Sequence, residues 1–318
     1  MRIKGRTTAV LGTIFLVLMA LVLVPTSLAS CSTGVEENED VVVEPTATST
    51  STPTPTSTPT QIPEPTQTPT PTATPTPVVP QPNIVYQFDG QTTEEDKVII
   101  QRGIEMANRF FFLQLGRVVD HQVVINIVNL QGNPCFGGPL ARVSLNTICI
   151  NIGNEYWFST ALGASEQGKL KLVAHEYYHL LQVSLGCSTL LSPNSLAKEP
   201  AWLQEGTAEF MAHAAIDFAG VEKLDYRVSR WQDNDKRSSY LPALSTWETI
   251  EPGEQMPYVV PALAVHYLAS TAGLGSVVAF CELNGKGLVW QDAFYQAFSI
   301  TPTAFYEQFE LYRANGYK

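Results

Sequence analysis

Ser165 to Gly186 reads SEQGKLKLVAHEYYHLLQVSLG. Lys171, Leu172, Leu180 and Leu181 favour a helix over Ser165–Leu185, and Gly186 stops it. Inside it, His175-Glu176-Tyr177-Tyr178-His179 has the H-E-x-x-H pattern. Residues four apart stack on one helix face. Both imidazoles can therefore ligate one Zn²⁺, while Glu176 reaches a water in the open position and takes its proton.

Catalytic zinc wants a third protein ligand. Downstream lies Trp202-Leu203-Gln204-Glu205-Gly206-Thr207-Ala208-Glu209-Phe210, inside a helix expected over Lys198–Phe218. This W-L-x-E-G-x-A-E run resembles the second-helix motif of the gluzincin metallopeptidases, the group of aminopeptidase N and thermolysin. The resemblance implies that Glu205 is the third zinc ligand. It also implies that Glu209, one turn further on, accepts a hydrogen bond from His175 and fixes its tautomer. Tyr258-Val259-Val260-Pro261-Ala262 resembles the aminopeptidase N segment Y-x-x-G-A, which would make the Tyr258 hydroxyl a donor to the developing oxyanion. The resemblance spans about residues 165 to 282, and the chain looks closer to the short, stand-alone peptidase MA-like domains of bacterial lipoproteins than to aminopeptidase N.

This chain departs from that pattern in three ways. Pro261 stands where glycine is usual. The gap from Leu180 to Gln204 is long, and Cys187 to Lys198 reads as an insertion. No G-A-M-E-N-like motif is present to grip a free amino terminus, which favours an endopeptidase over an aminopeptidase. Arg142 to Ile150 is the nearest candidate for an edge strand that pairs with an extended peptide. The remaining histidines carry less. His121 reads as a surface residue, His266 as structural, and His213 either touches the site from behind or simply packs.

Around these motifs the coarse pattern is α+β: a small mixed or antiparallel sheet packed on the metal-binding helix, then a mainly helical C-terminal part. Thr92–Leu115 reads as a helix with Glu94, Glu95 and Asp96 in its first turn. Gln122–Leu130 and Ala141–Ile152 read as strand regions. Further helices are expected at Pro257–Ala269, Leu274–Leu283, Val289–Phe298 and Pro302–Arg313.

The N-terminal third has another character. Arg2, Lys4 and Arg6 precede an apolar run from Thr8 to Val24, which leads to Leu28-Ala29-Ser30-Cys31. Basic, apolar, then small residues is the order of an export signal. The last four resemble a bacterial lipobox, which implies cleavage after residue 30 and lipidation of Cys31. An uncleaved membrane helix is the alternative. Both place the rest of the chain outside the cytoplasm and tethered to a membrane. Residues 31–82 are rich in Thr, Pro and Ser and have little to bury. Proline lacks a donor N–H, so such a stretch extends as a stalk at about 3.1 Å per residue.

Residues 83–318 suit one domain. The net charge is −11, and no basic stripe or nucleic-acid motif appears, which argues against nucleic acid as a partner. Cys135, Cys149, Cys187 and Cys281 allow three pairings. The short loop with Gly137 and Gly138 favours Cys135–Cys149, leaving Cys187–Cys281. The function expected is peptide-bond hydrolysis at a bacterial cell surface. A non-catalytic module of the same fold, binding cell wall or a protein partner, is the alternative.

Overall fold

The computed structural model describes residues 78–132, 134–136, 140–158, 165–187, 199–238, 241–248 and 258–318. The export signal, Cys31, the stalk up to residue 77, the Gly137-Gly138 loop and residues 188–198 of the insertion lie outside these. Pro80 is anchored where its carbonyl accepts from Asn108 Nδ2 at 2.9 Å. Strand β1 (Ile84–Phe88) follows, with Val85 and Gln87 exposed between half-buried Ile84, Tyr86 and Phe88.

Helix α1 (Glu94–Phe110) starts at Thr93, whose hydroxyl accepts from Asp96 N at 3.1 Å and so satisfies an orphan amide. It runs on as a π-helical turn, Phe111–Leu115, and stops at Gly116. β2 (Val123–Val128) returns parallel to β1, pairing Tyr86 with Ile125. The expected strand region at 141–152 is a hairpin, β3 (Ala141–Ser144) and β4 (Thr147–Asn151), turning at Leu145 and Asn146. β4 lies parallel to β2, so the sheet is mixed, in the order β1-β2-β4-β3. β3 is its antiparallel edge. The short helix α2 (Glu155–Phe158) buries Trp157, whose Nε1 donates to Asp96 at 2.8 Å.

Helix α3 (Glu166–Leu185) carries the H-E-x-x-H pattern. Ser165 caps it by accepting from Gly168 N at 3.1 Å, and Gly186 ends it at φ 85°. α3 packs between α1 and α4 (Ala201–Phe218) and touches β3 and β4. Tyr177 and Tyr178, between the two histidines, are buried in the core. Both rings pack on Phe111, and the Tyr177 hydroxyl donates to Asn108. The rest is helical: α5 (Leu224–Arg237), a 3-10 turn (Leu244–Trp247), α6 (Val259–Ala272), α7 (Leu274–Gly285), α8 (Trp290–Phe298) and α9 (Pro302–Ala314). The chain is thus α+β with a mainly helical C-terminal part. β1, α2, α5 and the 3-10 turn were not expected from the sequence. α4 starts after Lys198 because Pro200 sits at its cap, and the proline ring keeps the residue before it out of the helical region.

Two close approaches hold the helical layer in place. Gly206 of α4 meets α6: a Cβ there would lie 2.7 Å from the Pro261 carbonyl oxygen and 2.9 Å from Pro261 Cβ. Pro261 itself is in the first turn of α6, where its missing N–H would have had no partner anyway. Just past the end of α3, Cys187 is bonded to Cys281 of α7 (Cα–Cα 5.0 Å), and the second disulfide joins Cys135 to Cys149 (5.3 Å). Both pairs match the favoured pairing. Among the described residues no single helix is long and apolar enough to cross a membrane.

Candidate metal centre

α3 and α4 pack side by side and bring three donor atoms together. His175 Nε2 and His179 Nε2 are 3.1 Å apart, and Glu205 Oε2 lies 3.3 Å from the first and 3.4 Å from the second. His175 and His179 are buried and Glu205 is nearly so, and this cluster could hold a metal ion.

The opposite nitrogen of each imidazole is also engaged. His175 Nδ1 lies 3.1 Å from Glu209 Oε2, and His179 Nδ1 lies 2.7 Å from Gln182 Oε1. Glu209 is itself shared. Lys171 Nζ donates to Oε2 at 3.0 Å, and His213 Nε2 is 3.4 Å from Oε1. His213 stacks edge-on against Trp231 and sits 3.8 Å from Glu222, which pairs with Arg227. His213 therefore packs and touches the site from behind at once. His121 is partly buried against Ser184 rather than fully exposed, and His266 packs on Phe210.

These contacts set the charges. Burial alone would lower the pKa of His175, but the carboxylates of Glu205 and Glu209 overcome it and raise it to about 9. Burial opposes ionisation of Glu209 as well, and Lys171, then His175 and His213, hold it well below the usual carboxylate range. Glu205 is held low against its own burial by His179 and His175. The two carboxylates thus draw positive charge onto the histidine pair. Glu176, beside it, is pushed upward by burial, with the two histidines pulling the other way.

Tyr258 immediately precedes α6 and is half-exposed. Its ring stands edge-on to that of His175, centroids 5.7 Å apart. Burial and the carboxylates of Glu205, Glu176 and Glu209 hold its phenol protonated, well above its usual range. The structure thus brings Glu176, Glu209 and Tyr258 up to the His175–His179–Glu205 cluster. Cys31 lies outside the described residues. β3, at the free edge of the sheet and against α3, contains Arg142 of the expected Arg142–Ile150 edge. Ile150 is on β4, one strand further in.

Sequence reading passed over four contributors. Lys171 was read only as a helix former. Gln182 is signalled only by standing three residues after His179, on the same helix face. Glu222 joins through His213. Glu199, just before α4, is buried, its Oε1 has no hydrogen-bond partner among the described residues, and burial and the charge of Glu205 push its pKa well above the usual carboxylate range. No protein-family model, curated protein or solved structure matches this chain.

Proposed function

We propose that this chain is a zinc-dependent peptidase, an endopeptidase rather than an aminopeptidase, tethered outside a bacterial cell through Cys31. The observation that carries the reading is the triangle of His175 Nε2, His179 Nε2 and Glu205 Oε2, with sides of 3.1, 3.3 and 3.4 Å. A tetrahedron with arms of about 2.0 Å, the zinc–nitrogen distance, has edges of about 3.3 Å. Two imidazoles and one carboxylate also match the donor set of catalytic zinc, and three donors leave a fourth position open.

His175, His179 and Glu205 would hold the ion. When bound, zinc supplies a Lewis acid that draws electrons from a substrate carbonyl and makes water acidic at neutral pH. Glu176 takes the proton from the attacking water. Its raised pKa brings it closer to the neutral range, where a general base works best. It then returns the proton to the amine leaving group as the C–N bond breaks. Tyr258, kept protonated, donates to the charge that develops on the carbonyl oxygen. Among the described residues β3 has no strand on its outer side, so its edge offers backbone groups to an extended peptide, and the missing amino-terminus motif favours cleavage within chains. The export signal, the stalk and the two disulfides support an oxidising, extracytoplasmic setting.

The test is zinc per mole of purified chain, wild type beside Glu205→Ala, followed by profiling on a peptide library. About one zinc in the wild type, much less in the variant, and cleavage within peptides are expected. A wild type that takes up no zinc on reconstitution would leave the non-catalytic binding module in its place.

A further inference from the structure

The two histidines are held by different chemistry, and the second case follows from a backbone carbonyl. Gln182 is buried, as are Gln204 and Thr207. Its side chain lies between α3 and α4 and faces three groups. Oε1 is 2.7 Å from His179 Nδ1, and Nε2 donates to the Gln204 carbonyl at 3.2 Å and to Thr207 Oγ1 at 2.9 Å. The Gln204 carbonyl can only accept, so the amide nitrogen of Gln182 must face it. Thr207 agrees, because its hydroxyl donates to that same carbonyl at 2.9 Å and leaves a lone pair for Gln182. With Nε2 so committed, Oε1 is the end that meets His179. Nδ1 must then carry a proton, so in the neutral imidazole the lone pair is on Nε2, facing Glu205 and His175.

The geometry points to Gln182 as the positioning residue of the metal centre. The backbone just before Glu205 orients the Gln182 amide, and the amide fixes the tautomer and ring angle of His179. This rests on the zinc reading above. Gln182 also ties the helix that carries two ligands to the one that carries the third. Unlike Glu209, it does so without adding a second negative charge beside the donors.

The experiment compares zinc affinity of the metal-free full chain, by competition with a chromogenic chelator, for wild type, Gln182→Leu and Gln182→Glu. Leucine removes every hydrogen bond at this position. Glutamate keeps the acceptor for His179 and, in the protonated form that burial favours, can still donate to the Gln204 carbonyl. Gln182→Leu is expected to weaken zinc binding by about 10- to 100-fold, and Gln182→Glu to remain within about threefold of wild type. A merely structural role predicts no such rescue by glutamate. Thermal melts of the metal-free proteins check folding, and Gln182→Met, closer in length and adaptable in packing, takes the place of leucine if that variant does not fold. If the wild type binds one zinc and the leucine or methionine variant binds it equally well, the inference is wrong and the zinc reading stands. Equal weakening in the apolar and glutamate variants also overturns it, since the acceptor facing His179 would then not matter. A wild type that binds no zinc removes both.

Discussion

At the scale of single residues, the site is a set of atoms whose roles differ by what lies behind them. His175 is backed by an anion, Glu209, whose charge is divided among His175, Lys171 and His213. His179 is backed by a neutral amide. Glu176 follows His175 directly and is separated by function, since neither the Nε2 triangle nor the contacts behind it use its carboxylate. Removing its charge should therefore spare the metal and stop the chemistry. Glu176→Gln is expected to bind about one zinc, the same as is expected of the wild type, and to lose turnover by a factor on the order of 10² to 10⁴, the usual contribution of a general base. Zinc content and peptide cleavage measured on the same preparation decide it. Retained cleavage would sink the assignment of Glu176, and lost zinc would make it a ligand instead.

At the scale of elements, the site depends on how closely α4 can approach α6. Gly206 follows the third donor and allows the backbone of Pro261 to press against α4. Pro261 looks like a departure when the sequence is read alone. In the fold it is the surface that Gly206 accommodates, and Tyr258 stands three residues before it. Gly206→Ala should thus be net destabilising. Alanine gains about 1 kcal/mol of helix propensity over glycine. Its Cβ would meet backbone atoms that cannot rotate away, and overpacking of that kind costs about 1–3 kcal/mol. A net loss on the order of 1 kcal/mol in a denaturant melt of the metal-free chain is expected. A variant more stable than wild type would mean that the helices separate without penalty. Legibility in the sequence follows the same physics. The His175–Glu176–His179 face was legible because an i, i+4 relation is fixed by the helix itself. Glu205, thirty positions beyond His175, was legible only through the resemblance of its surrounding motif. Gln182 was not, because a glutamine three residues after a histidine is unremarkable until α4 supplies the carbonyl that orients it. β1 is five residues with a weak alternation next to a proline-rich stretch. α5 buries only Val228 and Trp231 among charged neighbours, although Leu224, Val228 and Trp231 do form a helical stripe.

At the scale of the whole molecule, one covalent link braces the sheet and another the helical layer. Cys135–Cys149 joins the segment before β3 to β4, while Cys187–Cys281 fixes the end of α3 to α7, where Gly186 and Gly285 already touch backbone to backbone. Both are buried. Their sequence separations are 14 and 94 residues. A cross-link stabilises mainly by shrinking the unfolded ensemble, and the effect grows with the logarithm of the loop it closes. For these two loops the difference is about 1.7 kcal/mol in favour of the longer one. The longer link also holds the end of α3 that carries Gln182, since Cys281 Sγ lies 4.0 Å from the Gln182 carbonyl. Replacing Cys187 and Cys281 together by serine should lower the unfolding free energy by roughly 2–4 kcal/mol, more than the same change at Cys135 and Cys149. Urea melts of the metal-free proteins without reductant test the order. Zinc should then recover part of the loss in the Cys187/Cys281 variant, because a ligand that binds only the folded chain adds stability as its concentration rises above its Kd. If the Cys135/Cys149 variant proves the less stable of the two, loop entropy is not what these bonds contribute. The brace at β4 would then matter more to the fold than the clamp on α3.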